Sequence, residues 1–464
     1  MVRRWMSQCA AFPSRPIEDS NLSRLTLTVI ILNWNGRPFL QACLDALEAQ
    51  TYRPERIVFV DNGSADDSVA FVRGHFPAVE VRENGGNLGF AAGNNTVLRE
   101  LGTDAAVLLN PDVVLEPDYL AVIAATLASD PRIGIVGGKL WYPDRETIQH
   151  GGGFITRPQA MPGHYGIGER DAGQNDTSRD VDYLIGAATA VRRAMLATIG
   201  LLDEGYFLYY EDTDLCRRAL EAGYRVVYEP RAAGVHVESA VAAKGSFAYF
   251  QRFHTGRWRY LLKHFPPAVI LEETVPAEAG WLTRIAADER RAASLAYLAT
   301  LHALPDIWRI RAERDPLPEE MQAAIERQLI ALRDLALQEL TGASLLPRLT
   351  AVAQLEELPF TSTVPVLGRL IVWFRTAWNN IASRWYVRHL LLQQNEFNRL
   401  VVAQVETYET ELKEQLELLE EQVVSQEELR RRVQELSAAL TTLRQSMKDR
   451  EEPLEAQPGS PSTE

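Results

Sequence analysis

An α/β domain built on a mainly parallel sheet, followed by a helical region and a C-terminal coiled coil, is the architecture this sequence predicts. Three observations carry it. Short β-rich apolar runs alternate with helical patterns from residue 25 to about residue 241, the signature of a sheet layered with helices. Helical spacing then prevails to about residue 360. From residue 395 to residue 447 there is no Gly or Pro, and apolar positions recur in steps of three and four, as Val405, Tyr408, Leu412, Leu416, Leu419 and Val423, then Leu429, Val433, Leu436, Leu440, Leu443 and Met447. That is a coiled-coil seam with one phase break after Val423.

The elements follow in order. LTLTVIILN reads as a first buried strand, and residues 38–50 place Phe39, Leu40, Cys43, Leu44 and Leu47 at helical spacing. RIVFVDNGS is a strand running into a turn, which completes one βαβ unit. Residues 64–76 repeat the helical pattern, VEVREN is a short strand, residues 90–101 form another helix, and AAVLLNPDV is a third buried strand ending in a turn. Polar residues cluster after the apolar strands, at Asn33-Trp34-Asn35, Asp61-Asn62 and Asn110-Pro111-Asp112. Open α/β sheets bind ligands beyond the carboxyl ends of their strands, so this clustering is the first functional clue.

Composition narrows the function. The chain has 464 residues, 46% hydrophobic and 24% charged, which is globular and excludes a fibrous or wholly disordered protein. Its formal net charge of −14 argues against a nucleic-acid partner, because phosphate-coating proteins are basic. An anionic ligand must therefore be met locally. Cys9, Cys43 and Cys216 are far apart, which excludes a disulfide scaffold and suits a reducing cytoplasm. The expected organisation is a flexible leader over 1–24, the α/β domain over 25–265, a helical region over 266–360, an amphipathic helix over 361–394, the coiled coil over 395–450 and a disordered tail over 451–464.

Five motifs in fixed order, VIILNWNG, VDNGSADDS, NGGNLGFAAGNN, LLNPDVVLEPDYL and FLYYEDTDLCRRALEAGY, resemble the family 2 glycosyltransferases of GT-A fold, most closely the rhamnosyltransferase-like bacterial members that build surface polysaccharides. The resemblance covers residues 25–265 and implies a GT-A nucleotide-diphospho-sugar transferase domain. It also implies roles for individual residues. Asp61 ends an apolar strand and is expected to bind the nucleotide with Asn33, Trp34 and Asn35. Asn84, Asn87 and Gly89 lie in a Gly-rich loop that opens a helix, whose free N–H groups suit a phosphate. Asn110-Pro111-Asp112 stands where the family carries D-x-D, so Asp112 is the expected ligand of Mg or Mn, Asn110 replaces one carboxylate and lines the nucleotide side, and His236 completes the metal site.

Glu211-Asp212-Thr213-Asp214 precedes a short helix closed by Gly223. Carboxylates at a helix N-terminus satisfy its free N–H groups, but crowding them together also raises at least one pKa toward a base's range. The resemblance makes Asp212 the base, with Glu211 its catalytic neighbour. The acceptor side falls to HGGGFITRPQAMPGHYGIGERDAGQND, with His150, His164 and Arg170 as contacts to the diphosphate or acceptor.

The implied activity is inverting transfer of a sugar, rhamnose among the candidates, from a nucleoside diphosphate sugar to a hydroxyl of a glycan or lipid-linked acceptor. Two other classes stand beside it: a nucleotidyltransferase, which lacks the expected basic residue of a Gly-rich first turn, and a non-catalytic coiled-coil scaffold of a polysaccharide-assembly complex. Residues 361–394 join tryptophans to Arg369, Arg375, Arg384 and Arg388, which predicts peripheral contact with the inner face of the cell membrane. The apolar seam of 395–447 predicts a homo-oligomer.

Overall fold

The computed structural model describes residues 25–238 and 245–342, which belong to one compact unit. The expected leader, interfacial helix, coiled coil and tail lie outside the described residues.

The first strand, β1 (Leu27–Asn33), shows why its run is apolar throughout. Leu27, Val29 and Ile31 enter one core cluster and Ile30 enters the other, so both faces of the strand are covered. It pairs in parallel with β2 (Arg56–Asp61) and β4 (Ala105–Leu109), and β2 pairs in parallel with β3 (Glu80–Glu83). The covering helices are α1 (Arg37–Glu48), α2 (Ser68–His75) and α3 (Gly89–Leu98). α2 starts later than the expected residue 64, because residues 63–64 are held in a turn by Asp61 and Asp66 accepts from the Ser68 N–H at 3.1 Å.

The third apolar run divides. After β4 the chain turns at Asn110-Pro111-Asp112 and resumes as β5 (Val113–Leu115). Pro111 has no N–H to continue a ladder, and β5 pairs instead with β12 (Arg225–His236), setting His236 opposite Val113. Beyond α4 (Tyr119–Ser129) and β6 (Ile133–Trp141) come the short strands β7 (Ile148–His150), β8 (Gly153–Ile155), β9 (Pro162–His164) and β10 (Arg179–Asp180), after which strand β11 (Ala188–Arg192) inserts between β4 and β6, antiparallel to both. The ten-stranded sheet is therefore mixed, parallel across β4-β1-β2-β3 and again where β12 meets β6.

The remaining pieces on the path to the helical region are α5 (Arg193–Ile199) and α6 (Glu211–Glu221). Helix α7 (Phe247–His264) follows, capped by the Ser246 hydroxyl, which accepts from the Tyr249 N–H. After a lead-in containing a π-turn at Ile270–Thr274 come α8 (Val275–Leu282), α9 (Ala287–Ala312) and α10 (Glu319–Gly342). Trp258, Leu261 and Leu262 of α7 pack with Tyr297, Leu304 and Ile307 of α9 and with Ile325 and Leu329 of α10 in a third apolar cluster, which also takes in Ala160, Tyr206 and Tyr210. A polar knot lies inside it. Fully buried Glu278 accepts from Arg257, Gln159 (2.9 Å) and the Tyr297 hydroxyl (2.8 Å). Gly256 lets α7 come this close, since a Cβ there would sit 2.6 Å from the Tyr209 carbonyl oxygen.

Candidate active site

The strand ends are tied to one another before any ligand arrives. Asn33 and Asp61 are partners in the β1–β2 register. Asp61 accepts from the N–H groups of Gly63 and Ser64 at 3.1 and 3.0 Å, and Asn33 donates to the Ser64 hydroxyl at 3.0 Å. The Asn35 side chain accepts from the Ala65 N–H at 2.8 Å. Asn62, marked in the sequence only as part of the polar end of β2, is the central pin. It donates to Asn87 and to the Gly89 carbonyl, and it accepts from Asn84 and from the Leu88 N–H, all within 3.0–3.1 Å. The Gly-rich loop thus hangs from β2. Gly89 has φ +79°, and a Cβ there would lie 2.3 Å from the Phe207 carbonyl oxygen, so no other residue fits.

A cleft of about 270 Å³ opens at these strand ends. Trp34, Asn87, Gly89, Asn110, Asp112 and His236 reach its walls, as does Asn62, which the strand-end clustering marked without a role, and so do Phe207, Tyr209, Glu238 and Arg252, which sequence reasoning missed. Asn33, Asn35, Asp61 and Asn84 stand behind the wall and shape the turns. Trp34 and Phe207 are large aromatic side chains left more than two-fifths exposed, at 41% and 42%, on the cleft's rim, where flat rings suit stacking against a base or sugar.

Asp112 and His236 are both buried and face each other, with Oδ1 and Nε2 3.3 Å apart. The His236 Nδ1 lies 2.7 Å from the Gln149 side-chain oxygen. The Gln149 amide nitrogen points the other way, toward the His236 carbonyl and Glu238, so Nδ1 carries the proton. Nε2 is then the ring atom that faces the Asp112 carboxylate, an arrangement completed by a cation or a proton between them. These two residues fit a divalent metal as a partial ligand set. Among the described residues no group of three His, Cys, Asp or Glu side chains is arranged to hold a metal, so a cation held by this pair would need further ligands from elsewhere.

The three carboxylates of α6 separate by environment. Asp212 is partly buried, and its carboxylate accepts from the Gly186 N–H at 2.9 Å and the Thr213 N–H at 2.6 Å. Burial raises its pKa in spite of those bonds. Glu211 is buried beside it, with one carboxylate oxygen lacking a hydrogen-bond partner. Burial, then the charge of Asp212, pushes the Glu211 pKa well above its ordinary value. Asp214 is different. Burial alone would raise its pKa, but Lys263, Arg218 and His264 hold it well below the carboxylate range. Asp212 is not on the cleft wall; Gly186, which binds it, abuts Phe90, which is. Tyr209 and Tyr210 precede the helix with φ of +74° and +70°, a strained pair for non-glycine residues, of the kind found where a chain is forced into a functional turn.

The acceptor-side candidates are engaged with one another. His150 and His164 bring their Nδ1 atoms within 2.7 Å, His164 meets the Tyr183 hydroxyl at 3.2 Å, and exposed Arg170 pairs with Glu146 at 3.1 Å. None of them lines the cleft. Two sequence signals marked the missed residues: Phe207 and Tyr209 adjoin the EDTD motif, and Arg252 lies in the aromatic and basic run that became α7.

Residues 24–260, about half of the chain, match the family described as Glycosyltransferase like family 2, and the chain belongs to that family; it is a glycosyltransferase with a GT-A-like α/β domain. Neither a nucleotidyltransferase nor a silent scaffold is favoured by that membership. Among its relatives, the N-acetylglucosaminyl-diphospho-decaprenol L-rhamnosyltransferase of Mycobacterium tuberculosis is 26% identical over 269 residues, covering 51% of this chain and 88% of that protein. Rhamnosyltransferase WbbL of Escherichia coli is 24% identical over 225 residues, covering 45% and 82%. The pre-mycofactocin glycosyltransferase of M. tuberculosis is 30% identical over 225 residues, covering 48% and 45%. The crystal structure of S. aureus TarS 1–349 in complex with UDP-GlcNAc superposes with a TM-score of 0.41 at 14% identity, covering 68% of this chain and 92% of that one.

Proposed function

We propose that this chain transfers a hexose, with rhamnose the first candidate, from a nucleoside diphosphate sugar to a hydroxyl of a lipid-linked or glycan acceptor, with inversion at the anomeric carbon. The observation that carries it is the cleft at the strand ends, where Trp34, the Asn87–Gly89 loop, Asn110 and the facing pair Asp112 and His236 meet. The rhamnosyltransferases among its relatives support the donor and acceptor classes.

Trp34 and the turns built by Asn33, Asn35 and Asp61 seat the nucleoside. Asn84, Asn87 and Gly89 shape the loop beside it, and Asn110 lies against the sugar nucleotide. Asp112 and His236 are the residues that would hold Mg or Mn, a hard cation that takes oxygen ligands and would draw further ones from the diphosphate. Bound there, such a cation would supply Lewis-acid charge against the departing diphosphate. Asp212 takes the proton of the acceptor hydroxyl as that hydroxyl's oxygen bonds to the anomeric carbon, and burial together with the Asp212 charge biases neighbouring Glu211 toward its protonated form. The bond from that carbon to the diphosphate breaks with its electron pair leaving on the phosphate oxygen.

Incubating the full chain with Mn and a panel of sugar nucleotides, dTDP-rhamnose included, should release nucleoside diphosphate from one donor class. Excess chelator should lower that release by about tenfold or more, several kcal/mol of transition-state stabilisation being what a Lewis acid supplies. Release from no donor, or undiminished release in chelator, would remove Asp112 and His236 from these roles. The same reading extends to the calls that lie outside the described residues: peripheral membrane contact through 361–394 and homo-oligomerisation through 395–450.

A further inference from the structure

Among the described walls of the cleft there is a single arginine or lysine side chain, Arg252. It stands on α7, on the helix face that also carries Tyr249 and Gly256, at spacings of three and four residues. Both neighbours dock on the segment before the EDTD motif. The Tyr249 ring lies 5.2 Å from that of Tyr209, and Gly256 admits the Tyr209 carbonyl. The position of Arg252 is therefore set by packing on either side of it. Its guanidinium carbon sits 5.2 Å from the centre of the Phe207 ring, and no carboxylate lies within ion-pair distance of it among the described residues. A guanidinium stacked on a ring keeps its N–H edge available for an anion.

The other charged groups of that wall are Asp112 and Glu238, with His236 between them in the chain. Asp112 and His236 are engaged with each other, and two carboxylates repel a diphosphate. Yet glycosyl transfer leaves one more negative charge on the terminal phosphate as the anomeric bond breaks. We infer that Arg252 binds the terminal phosphate of the nucleoside diphosphate and stabilises it as it leaves, a clamp of a kind arginine forms through paired N–H donors. This rests on the nucleoside diphosphate sugar reading of the cleft.

The experiment compares the full chain with Arg252→Ala and Arg252→Lys, in Mn, measuring the affinity of UDP and dTDP against UMP and dTMP by calorimetry together with kcat for the active donor. Loss of the guanidinium should weaken the diphosphate by about 10-fold to 100-fold, the worth of hydrogen bonds to a charged group. The monophosphate, which has no terminal phosphate to lose, should bind as before. kcat should fall with the diphosphate affinity, and Arg252→Lys should recover part of both, since an ammonium restores charge without the paired donors. Equal weakening of mono- and diphosphate would make Arg252 a prop of the cleft wall. Unchanged diphosphate affinity with a raised acceptor KM would move it to the acceptor; either result overturns the assignment. Because Arg252 is exposed, its replacement leaves the fold intact, which circular dichroism checks. Wild-type protein that binds neither nucleotide would instead overturn the sugar-nucleotide reading itself, and the clamp with it.

Discussion

Asp212→Asn should leave a folded protein whose transfer rate is about 10² to 10⁴ lower, the usual contribution of a positioned base. The asparagine is nearly the same shape. Its amide oxygen keeps one of the two backbone donors, Gly186 or Thr213, that the carboxylate now satisfies, so stability should fall by only about 1 kcal/mol. Donor affinity should hold, because the residue lies beyond Phe90, off the cleft wall. The lost function is proton uptake, so the deficit should appear in kcat and kcat/KM together. Acidity gives a second reading of the same role. Burial raises the Asp212 pKa, and it titrates with neighbouring Glu211, also raised, so the two release protons as a pair. Only the deprotonated Asp212 is a base, and the wild-type rate should therefore decline as pH falls through values above the ordinary carboxylate range, near 4. A folded Asp212→Asn enzyme with near-normal turnover, or a wild-type profile flat to pH 4, would place the base elsewhere.

Two residues along the same helix, Asp214→Ala should cost about 3–5 kcal/mol of stability in urea unfolding. Asp214 is fully buried, and its carboxylate meets Lys263 at 2.5 Å, Arg218 and His264 at 2.8 Å, and the Tyr206 hydroxyl at 3.2 Å. Lys263 and His264 belong to the last turn of α7, so this carboxylate joins the EDTD helix to the helical region. Alanine leaves the lysine buried at 1% exposure with Asp203 as its remaining carboxylate. The pH dependence has a definite sign. A folded-state pKa held below the unfolded value, about 3.9, means the stabilisation is complete above that value and is lost as pH falls through the depressed one. The wild type should therefore shed stability in acid that Asp214→Ala never had. A variant destabilised by less than about 1 kcal/mol would show the cluster to be decoration. These two outcomes together would give two aspartates of one four-residue motif separable tasks, one chemical and one architectural.

Most of what positions the chemistry was legible because it is local. Strands β1, β2 and β4 are uninterrupted apolar runs with polar ends, and periodicity together with that abrupt change places the turns at Asn33, Asp61 and Asn110. The break at Pro111 was readable as a turn, but its consequence was not: β5 pairs with β12, more than a hundred residues away, and pairing across such a gap leaves no mark in a window of neighbours. For the same reason β11 gave no hint that it would run antiparallel inside a sheet otherwise read as parallel. Asn62 was hidden by its company, one polar residue in a turn full of them, and only the four bonds it makes to a loop twenty-five residues on set it apart. Arg252 was hidden in the opposite way, in a helix whose basic residues look alike in sequence and take opposite fates: Arg257 is sealed against Glu278 while Arg252 faces the cleft.

The knot around Glu278 bears on autonomy. The family match stops at residue 260, inside α7, yet Arg257, three residues earlier, is charged, 1% exposed and, among the described residues, neutralised only by a carboxylate from beyond that limit. Gln159 and the Pro158 carbonyl, both on the acceptor-side loop, are likewise fastened to Glu278 and to Thr274. A polypeptide ending at residue 260 would retain the strand ends, Asp112, Asp212 and His236, but would leave a guanidinium stranded in an apolar cluster and the Trp258 ring without Tyr297 to pack on. Chemistry and self-sufficiency therefore have different borders in this chain. The helices that carry no recognisable motif act as its second half of folding information, and residues 1–342 should melt in a single transition, seen alike by tryptophan fluorescence and far-UV dichroism, while residues 1–260 should not fold at all.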